Sequence, residues 1–192
     1  MTLKIYPRAI YPSHVAILVP SVRRAADHLS QFGFEIGKEE EWDGEGTKEI
    51  YIERNKANSL LLMEPVKSGA YQRAMEKRGP GIHHLAIDVP DVEAYIQTLE
   101  NSGWLLHPSS IRIMKKIRVA YLARPRFPAL IEVQEMKEVN ASPLFVEMIE
   151  LQMEASLSRL LESIGLADIV RPSERGTQIQ LAGKTIHLKD LF

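Results

Sequence analysis

The sequence predicts an α+β fold made of two copies of one module, followed by a C-terminal extension. The first observation is an internal repeat, because Ser13-His14-Val15-Ala16-Ile17-Leu18-Val19-Pro20 returns as His83-His84-Leu85-Ala86-Ile87-Asp88-Val89-Pro90. Both copies have the alternating, β-branched pattern that is typical of strands. The second observation is a helical pattern after each copy, over residues 21–32 and 91–102. A repeat of this kind indicates a duplicated unit, so each module is expected to open with a strand that contains a histidine.

The first module is predicted over residues 13–65 in the order strand, helix and three strands. Ser21 can cap the helix through its side-chain oxygen, and Gly33 can end it. The later predicted elements are a strand over 34–42, a turn at 43–46, and strands over 47–54 and 59–64.

The second module is predicted over residues 81–135 with the same order of elements. A linker that contains a short helix around residues 71–77 separates it from the first module. Its predicted elements after the opening strand are a helix over 91–102, a short strand over 104–107, an extended stretch over 112–123 and a strand over 130–135.

Residues 138–192 are expected to form an extension to a domain that covers residues 1–137. Pro143 lies near the start of a predicted helix that runs to about Ile164, with apolar residues on a broad face. Alternating segments over 178–182 and 185–189 flank Gly183-Lys184, which predicts a hairpin. This extension either covers the two-module body or pairs with another chain.

Composition indicates an ordinary globular protein, since 45% of the 192 residues are hydrophobic and 26% are charged. The net charge of −1 gives no support for binding to nucleic acid or to an acidic membrane surface. The absence of cysteine excludes disulfides, thiolate metal sites and thiol nucleophiles. Because the sequence has neither a signal-peptide pattern nor a long apolar span, we expect a soluble cytoplasmic protein.

Alignment of the two copies identifies a candidate metal site. It places His84 at the position of His14, whereas strand alternation puts His83 on the opposite face. At the module ends it sets Leu61 against Glu132. If the modules pair about a pseudo-twofold axis, His14, His84 and Glu132 could converge, and two imidazoles with one carboxylate suit a divalent metal. Leu61 would then lie at the position of a fourth ligand.

Three segments resemble the vicinal-oxygen-chelate superfamily, which includes the glyoxalases, and most closely the methylmalonyl-CoA epimerases. They are Met75-Glu76-Lys77-Arg78-Gly79-Pro80-Gly81-Ile82-His83-His84-Leu85-Ala86, Leu62-Met63-Glu64-Pro65 and Val119-Ala120-Tyr121-Leu122. The resemblance implies two paired βαβββ modules whose sheets form a half-open barrel around one metal. Members of this superfamily commonly pair, so the predicted helix over 142–164 is expected to support a homodimer.

The resemblance also implies a chemistry. His14, His84 and Glu132 would bind one divalent ion of the set Zn, Mn, Co, Ni and Fe, and the ion would stabilise an enolate formed next to a carbonyl or thioester. A carboxylate must then move the proton, and Glu45 lies near the position of the family's proton-transferring glutamate. We therefore expect an epimerase, isomerase or lyase, with Glu132 and Glu45 as its catalytic residues.

Departures from the family pattern leave alternatives open. Leu61 replaces the usual Glu or Gln, although fosfomycin-resistance transferases and extradiol dioxygenases use two histidines and one glutamate. The loops between residues 112 and 130 differ from the epimerase pattern. One alternative is a non-catalytic small-molecule-binding protein with a degenerate metal site. A ring-cleaving dioxygenase is ranked last, because no histidine precedes Tyr121 within residues 112–120.

Six basic residues between positions 112 and 126 have two interpretations. We expect a small-molecule substrate, either an acyl-CoA or another anion. The six residues could grip an anionic group such as a phosphate or carboxylate, or they could form the solvated face of an edge strand, which the pattern favours. The six are Arg112, Lys115, Lys116, Arg118, Arg124 and Arg126.

Overall fold

The computed structural model describes residues 10–136, 138, 140 and 142–192, without the side chains of Arg112 and Lys115. The first module has the predicted order of elements, and helix α2 follows it. Its elements are β1 (Tyr11–Leu18), α1 (Val22–Ser30), β2 (Glu40–Trp42), β3 (Thr47–Ile52), β4 (Ser59–Pro65) and α2 (Ala70–Arg78). The second module repeats the order, with one helix inserted before its last two strands. Its elements are β5 (Gly81–Val89), α3 (Val92–Thr98), β6 (Leu105–Leu106), α4 (Ser110–Ile117), β7 (Val119–Ala123) and β8 (Leu130–Glu135).

The two modules form one open eight-stranded sheet of order β2-β3-β4-β1-β5-β8-β7-β6. The opening strands β1 and β5 are antiparallel neighbours at its centre, and His14 faces Ala86 while Ala16 faces His84. This register relates the two copies by a pseudo-twofold axis. The predicted α+β fold of two paired βαβββ modules is therefore confirmed.

Helix α1 shows how the sequence places the helices on the sheet. The Ser21 side chain accepts a hydrogen bond from the Arg24 N–H at 3.4 Å, and a cap of this type contributes about 1 kcal/mol. Val22, Ala25 and Leu29 recur at helical spacing and are buried in the main core. The opposite face of the sheet carries a smaller apolar cluster and the candidate site.

Two predicted strands differ from the structure. Of residues 34–42, only Glu40–Trp42 form a strand, with an isolated bridge from Ile36 to Ile52. Of residues 112–123, the first part is helix α4 rather than an extended stretch. Ile111 and Ile113 alternate with polar residues as in a strand, but the segment forms a helix that ends at Arg118 with a left-handed φ of 54°.

The extension forms a second, four-stranded sheet, and the predicted helix over 142–164 is wrong for most of its length. Residues Val146–Gln152 form a strand, and only Ser158–Ser163 form an α-helix. The prediction rests on Leu144, Phe145, Met148 and Leu151, which recur at helical spacing. In the structure a bulge at Glu147 interrupts the strand alternation, and Val146 and Ile149 are buried positions of the strand. The elements are β9 (Val146–Gln152), α5 (Ser158–Ser163), β10 (Val170–Ser173), β11 (Gln178–Leu181) and β12 (Lys184–His187), in the sheet order β10-β9-β11-β12.

The predicted hairpin is present, but its turn lies one residue earlier, at Ala182-Gly183. Both turn residues have positive φ, 44° and 78°, as the two-residue hairpin turn requires. The predicted boundary between residues 137 and 138 stays a prediction, because residues 137, 139 and 141 lie outside the described part. Among the described residues, no helix is long and apolar enough to cross a bilayer.

The extension packs on the two-module body of its own chain. The Asn58 side chain donates to the Val146 carbonyl at 2.6 Å, and the Trp104 indole N–H donates to the Ser163 hydroxyl at 3.2 Å. These bonds connect the second sheet to the first module and α5 to the second module. The arrangement agrees with a tail that covers the body, whereas the homodimer stays a prediction.

Candidate metal centre

The central strand pair brings the two repeat histidines together. Because β1 and β5 are antiparallel and related by the pseudo-twofold axis, His14 and His84 lie diagonally across the pair on one face of the sheet. Their Nε2 atoms are 3.2 Å apart, and both side chains are buried.

Glu132 on β8 completes the cluster. Strand β8 runs parallel to β5 and pairs Glu132 with Ala86. The Glu132 Oε2 atom lies 2.9 Å from His84 Nε2 and 3.8 Å from His14 Nε2. One ligand atom from each of the three residues lies within 4.8 Å of the other two.

These separations fit a single ion. Donor atoms that each lie about 2.1 Å from one ion are about 3.0–3.4 Å apart in octahedral or tetrahedral geometry. Two of the separations, 2.9 and 3.2 Å, are close to that range, and the third, between His14 and Glu132, is longer at 3.8 Å. The cluster could therefore hold a divalent metal, and borderline nitrogen and oxygen donors do not select one metal by themselves.

Leu61 occupies the position equivalent to Glu132. It pairs with Ala16 across β1 and β4, as Glu132 pairs with Ala86 across β5 and β8, and Ala16 and Ala86 match in the repeat. Leu61 is buried in an apolar cluster with Ala16, Leu18 and Met63. The cluster thus has three donors and an apolar side where a fourth donor would stand.

The electrostatics favour a neutral imidazole beside an ionised carboxylate. Burial, followed by the nearby His84, lowers the pKa of His14 to about 4, against an opposing effect of Glu132. Burial alone would raise the pKa of Glu132, but the charge and hydrogen bonding of His84, with His14 and Tyr121, lower it to about 2. Both groups are therefore in the protonation state that a metal ligand needs near neutral pH.

His83 does not point to the opposite face, which corrects the expectation from strand alternation. Across β1, His84 pairs with Ala16 and Ile82 pairs with Ile17, so His83 is an extra residue in a β-bulge. A bulge breaks the alternation of the strand. As a result, the His83 Nδ1 atom lies 2.9 Å from the His84 Nδ1 atom.

A cavity of about 140 Å³ opens beside the cluster. Glu49 on β3 lines it and is buried, and its Oε1 atom accepts a hydrogen bond from the Thr47 hydroxyl at 2.8 Å. Burial raises the pKa of the Glu49 carboxyl, although the bond from Thr47 opposes that effect. Glu49 was missed in the sequence, yet alternation along β3 puts Thr47, Glu49 and Tyr51 on one face.

Glu45 also lines this cavity but in a different setting. It lies exposed in the turn before β3, and its Oε2 atom accepts a hydrogen bond from the Tyr71 hydroxyl of α2 at 2.8 Å. This hydrogen bond holds helix α2 over the cavity. Glu45 is therefore near the cluster, as expected, but Glu49 is the buried carboxylate.

Three of the basic residues between 112 and 126 contact other groups of the protein. Arg118 donates to Glu135 at 2.8 Å and to Glu93 at 2.7 Å. Arg124 donates to the Gly103 carbonyl, and Arg126 pairs with Glu154. The edge-strand interpretation also changes, since the stretch from Arg112 to Ile117 is helical.

Comparison with known families identifies the class. Residues 13–121, more than half of the chain, match the family described as the Glyoxalase/Bleomycin resistance protein/Dioxygenase superfamily. The chain belongs to this superfamily, as the repeat and the histidine segment predicted. No curated protein matches the chain.

Solved structures with the same fold include methylmalonyl-CoA epimerases. A hypothetical protein from Bacillus halodurans C-125 is 25% identical, with 69% of this chain and 98% of that chain covered and a TM-score of 0.55. The methylmalonyl-CoA epimerase from Mycobacterium tuberculosis is 25% identical, with 67% of this chain and 89% of that chain covered and a TM-score of 0.52. The Streptomyces coelicolor methylmalonyl-CoA epimerase in complex with 2-nitronate-propionyl-CoA is 20% identical, with 67% of this chain and 98% of that chain covered and a TM-score of 0.54. About a third of this chain therefore has no counterpart in these neighbours.

Proposed function

We propose that this protein is a metal-dependent enzyme that removes a proton next to a carbonyl or thioester group, as an epimerase, isomerase or lyase does. The observation that supports this function best is the convergence of His14, His84 and Glu132 beside a cavity lined by a buried carboxylate, Glu49. Such a pairing of an electrophilic centre with a base is what enolate chemistry requires.

The three clustered side chains would hold one divalent ion. When bound, the ion supplies a positive charge that stabilises the oxyanion of the enolate. His14 and His84 would donate through their Nε2 atoms, which face each other, and Glu132 through Oε2. Three protein donors leave positions open for substrate oxygens.

Glu49 is the proposed proton acceptor. Its burial raises the pKa of the carboxyl above the ordinary value of 4.5, which makes the carboxylate a stronger base. The hydrogen bond from Thr47 fixes one carboxylate oxygen, so the other is the atom that would take the proton. Glu45 is the second carboxylate of the cavity, and the same experiments test its expected role.

The substrate side of the proposal is supported by a second cavity of about 520 Å³ next to α2. Tyr71 and Tyr121 line both cavities, so the larger one adjoins the metal cluster. Arg73, Lys77 and Arg78 on α2 also line it and would attract a substrate with phosphate or carboxylate groups. An acyl-CoA has this character, and structural neighbours were solved in complex with 2-nitronate-propionyl-CoA and with methylmalonyl-CoA.

The second candidate is a non-catalytic small-molecule-binding protein with a degenerate metal site. Leu61 favours it, because the side chain occupies the place of a fourth donor. Against it, Leu61 and Met63 form a wall of the cavity rather than filling it, and no described residue of the C-terminal extension lines it. This candidate predicts ligand binding without proton exchange.

Metal content and proton exchange together distinguish the proposed enzyme from the non-catalytic binding protein. We expect about one divalent ion per chain in protein purified without a histidine tag, and its loss in His84→Ala but not in His187→Ala, an exposed histidine of β12. Exchange of the C2 proton of methylmalonyl-CoA with deuterated water then tests catalysis. If the metal-loaded protein exchanges no proton next to the carbonyl or thioester of the acyl-CoA and 2-oxo acid substrates tested, the proposed enzyme is contradicted. If the protein holds no metal even after reconstitution, both metal binding and enolate chemistry are contradicted.

A further inference from the structure

One cavity lies away from the metal cluster, where the C-terminal sheet meets the two-module sheet. Its volume is about 560 Å³. One wall is the segment Arg78-Gly79-Pro80-Gly81-Ile82 between α2 and β5, and the other comes from residues 175–177 and 187–189 of the extension. We call it the junction cleft. His14, His84 and Glu132 do not line it.

Three cationic side chains line the junction cleft, and one of them, Arg78, donates to the Pro128 carbonyl at 3.1 Å. Arg78, Arg175 and Lys189 line it, together with His187, and no Asp or Glu does. None of these three cations forms an ion pair with a carboxylate of the described residues. Elsewhere in a chain with a net charge of −1, cations such as Arg118 and Arg126 pair with acidic side chains. Three cations that line one cleft without an acidic side-chain partner therefore indicate a place for an anion.

Apolar residues line the rest of the cleft. Ile82 and Leu18 come from the two-module sheet, whereas Leu151, Leu188 and Phe192 come from the extension. A volume of several hundred cubic ångströms, with apolar walls and a few polar groups, is typical of sites for small organic molecules. A simple inorganic anion would use only the cationic part.

We propose that the junction cleft binds a small organic anion, with its phosphate or carboxylate group against Arg78, Arg175 and Lys189 and its apolar part against Leu188 and Phe192. The site does not depend on the proposed enolate chemistry, since the metal cluster does not line it and it shares only Arg78 with the cavity next to α2. It depends on the extension, and about a third of this chain has no counterpart in the neighbouring structures.

The test uses two probes that share an aromatic ring, 1-naphthyl phosphate and 1-naphthoate, with inorganic phosphate as a third. Titration calorimetry of the full chain should show binding of at least one naphthyl compound, tighter than inorganic phosphate because the ring contacts the apolar walls. The tighter of the two naphthyl probes identifies the anionic group that the cleft accepts. Absence of binding by both naphthyl probes would overturn the proposal.

The matched variants locate the binding. Arg175→Ala with Lys189→Ala should weaken it about tenfold or more, because hydrogen bonds to charged groups are lost. Arg159→Ala with Arg171→Ala removes the same charge from exposed positions of the extension that do not line the cleft, and should leave affinity unchanged. Equal weakening in both pairs would overturn the proposal, as would loss of binding in His84→Ala, which would locate the ligand at the metal cluster. Thermal unfolding of each variant verifies that it is folded.

Discussion

The Nδ1 atoms of His83 and His84 lie 2.9 Å apart, although the two residues are neighbours on one strand. The bulge at His83 makes this contact. Burial lowers the pKa of His83 to about 3, with His84 and Arg78 acting in the same direction, so the His83 ring is neutral near pH 7 and can accept a hydrogen bond. A proton on His84 Nδ1 that is donated to His83 leaves the His84 Nε2 lone pair free for a metal.

We therefore expect His83→Ala to weaken metal binding by about 10–100-fold, as the loss of a group that orients a metal ligand typically does. Competition with a chromophoric chelator at neutral pH measures the affinity. His28→Ala, on helix α1, serves as the control and should bind metal like the wild-type protein. Unchanged affinity in His83→Ala would show that the contact does not orient His84.

Leu61 gives a second prediction, because it stands where the other module has Glu132. Leu61→Glu should raise metal affinity about tenfold or more by adding a fourth donor. Without metal, the same change should lower the free energy of unfolding, since it buries a charge among Ala16, Leu18 and Met63. Leu61→Met keeps the volume and should change neither property strongly. A metal affinity no higher in Leu61→Glu than in Leu61→Met would contradict the equivalence of the two positions.

The metal-free protein should lose stability in mild acid. The pKa of His14 is about 4 in the folded protein and 6.5 when unperturbed, so between these values the unfolded chain binds more protons. The free energy of unfolding therefore falls as the pH drops through this window. His14 contributes roughly 2 kcal/mol of this loss at about pH 5 relative to about pH 7.5, and His83, whose pKa is lowered to about 3, contributes a similar amount. Urea denaturation in a chelating buffer measures the loss, and His14→Gln should reduce it by about half. A loss as steep in His14→Gln as in the wild-type protein would contradict the contribution of His14.

Much of the fold could be predicted from the sequence because it is encoded twice. The repeat fixed the equivalence of His14 with His84, and the module order then located Glu132. Prediction failed where a bulge interrupted the strand period, at His83 and at Glu147. A bulge depends on the register of two strands that are distant in sequence, so the pattern of one strand does not reveal it.

Glu49 and Glu45 give the last prediction, which rests on the proposed enolate chemistry. Glu49→Gln removes the buried base and should slow C2 proton exchange about 10²–10⁴-fold, the usual contribution of a general base. Glu45→Gln keeps an acceptor for the Tyr71 hydroxyl and should slow exchange less than about tenfold. Metal content should be unchanged in both variants, because neither residue belongs to the three-residue cluster. The wild-type rate should rise with pH through the pKa of Glu49, which lies above 4.5, since only the ionised carboxylate accepts a proton. A larger loss in Glu45→Gln than in Glu49→Gln would exchange the two assignments and favour the glutamate expected from the sequence.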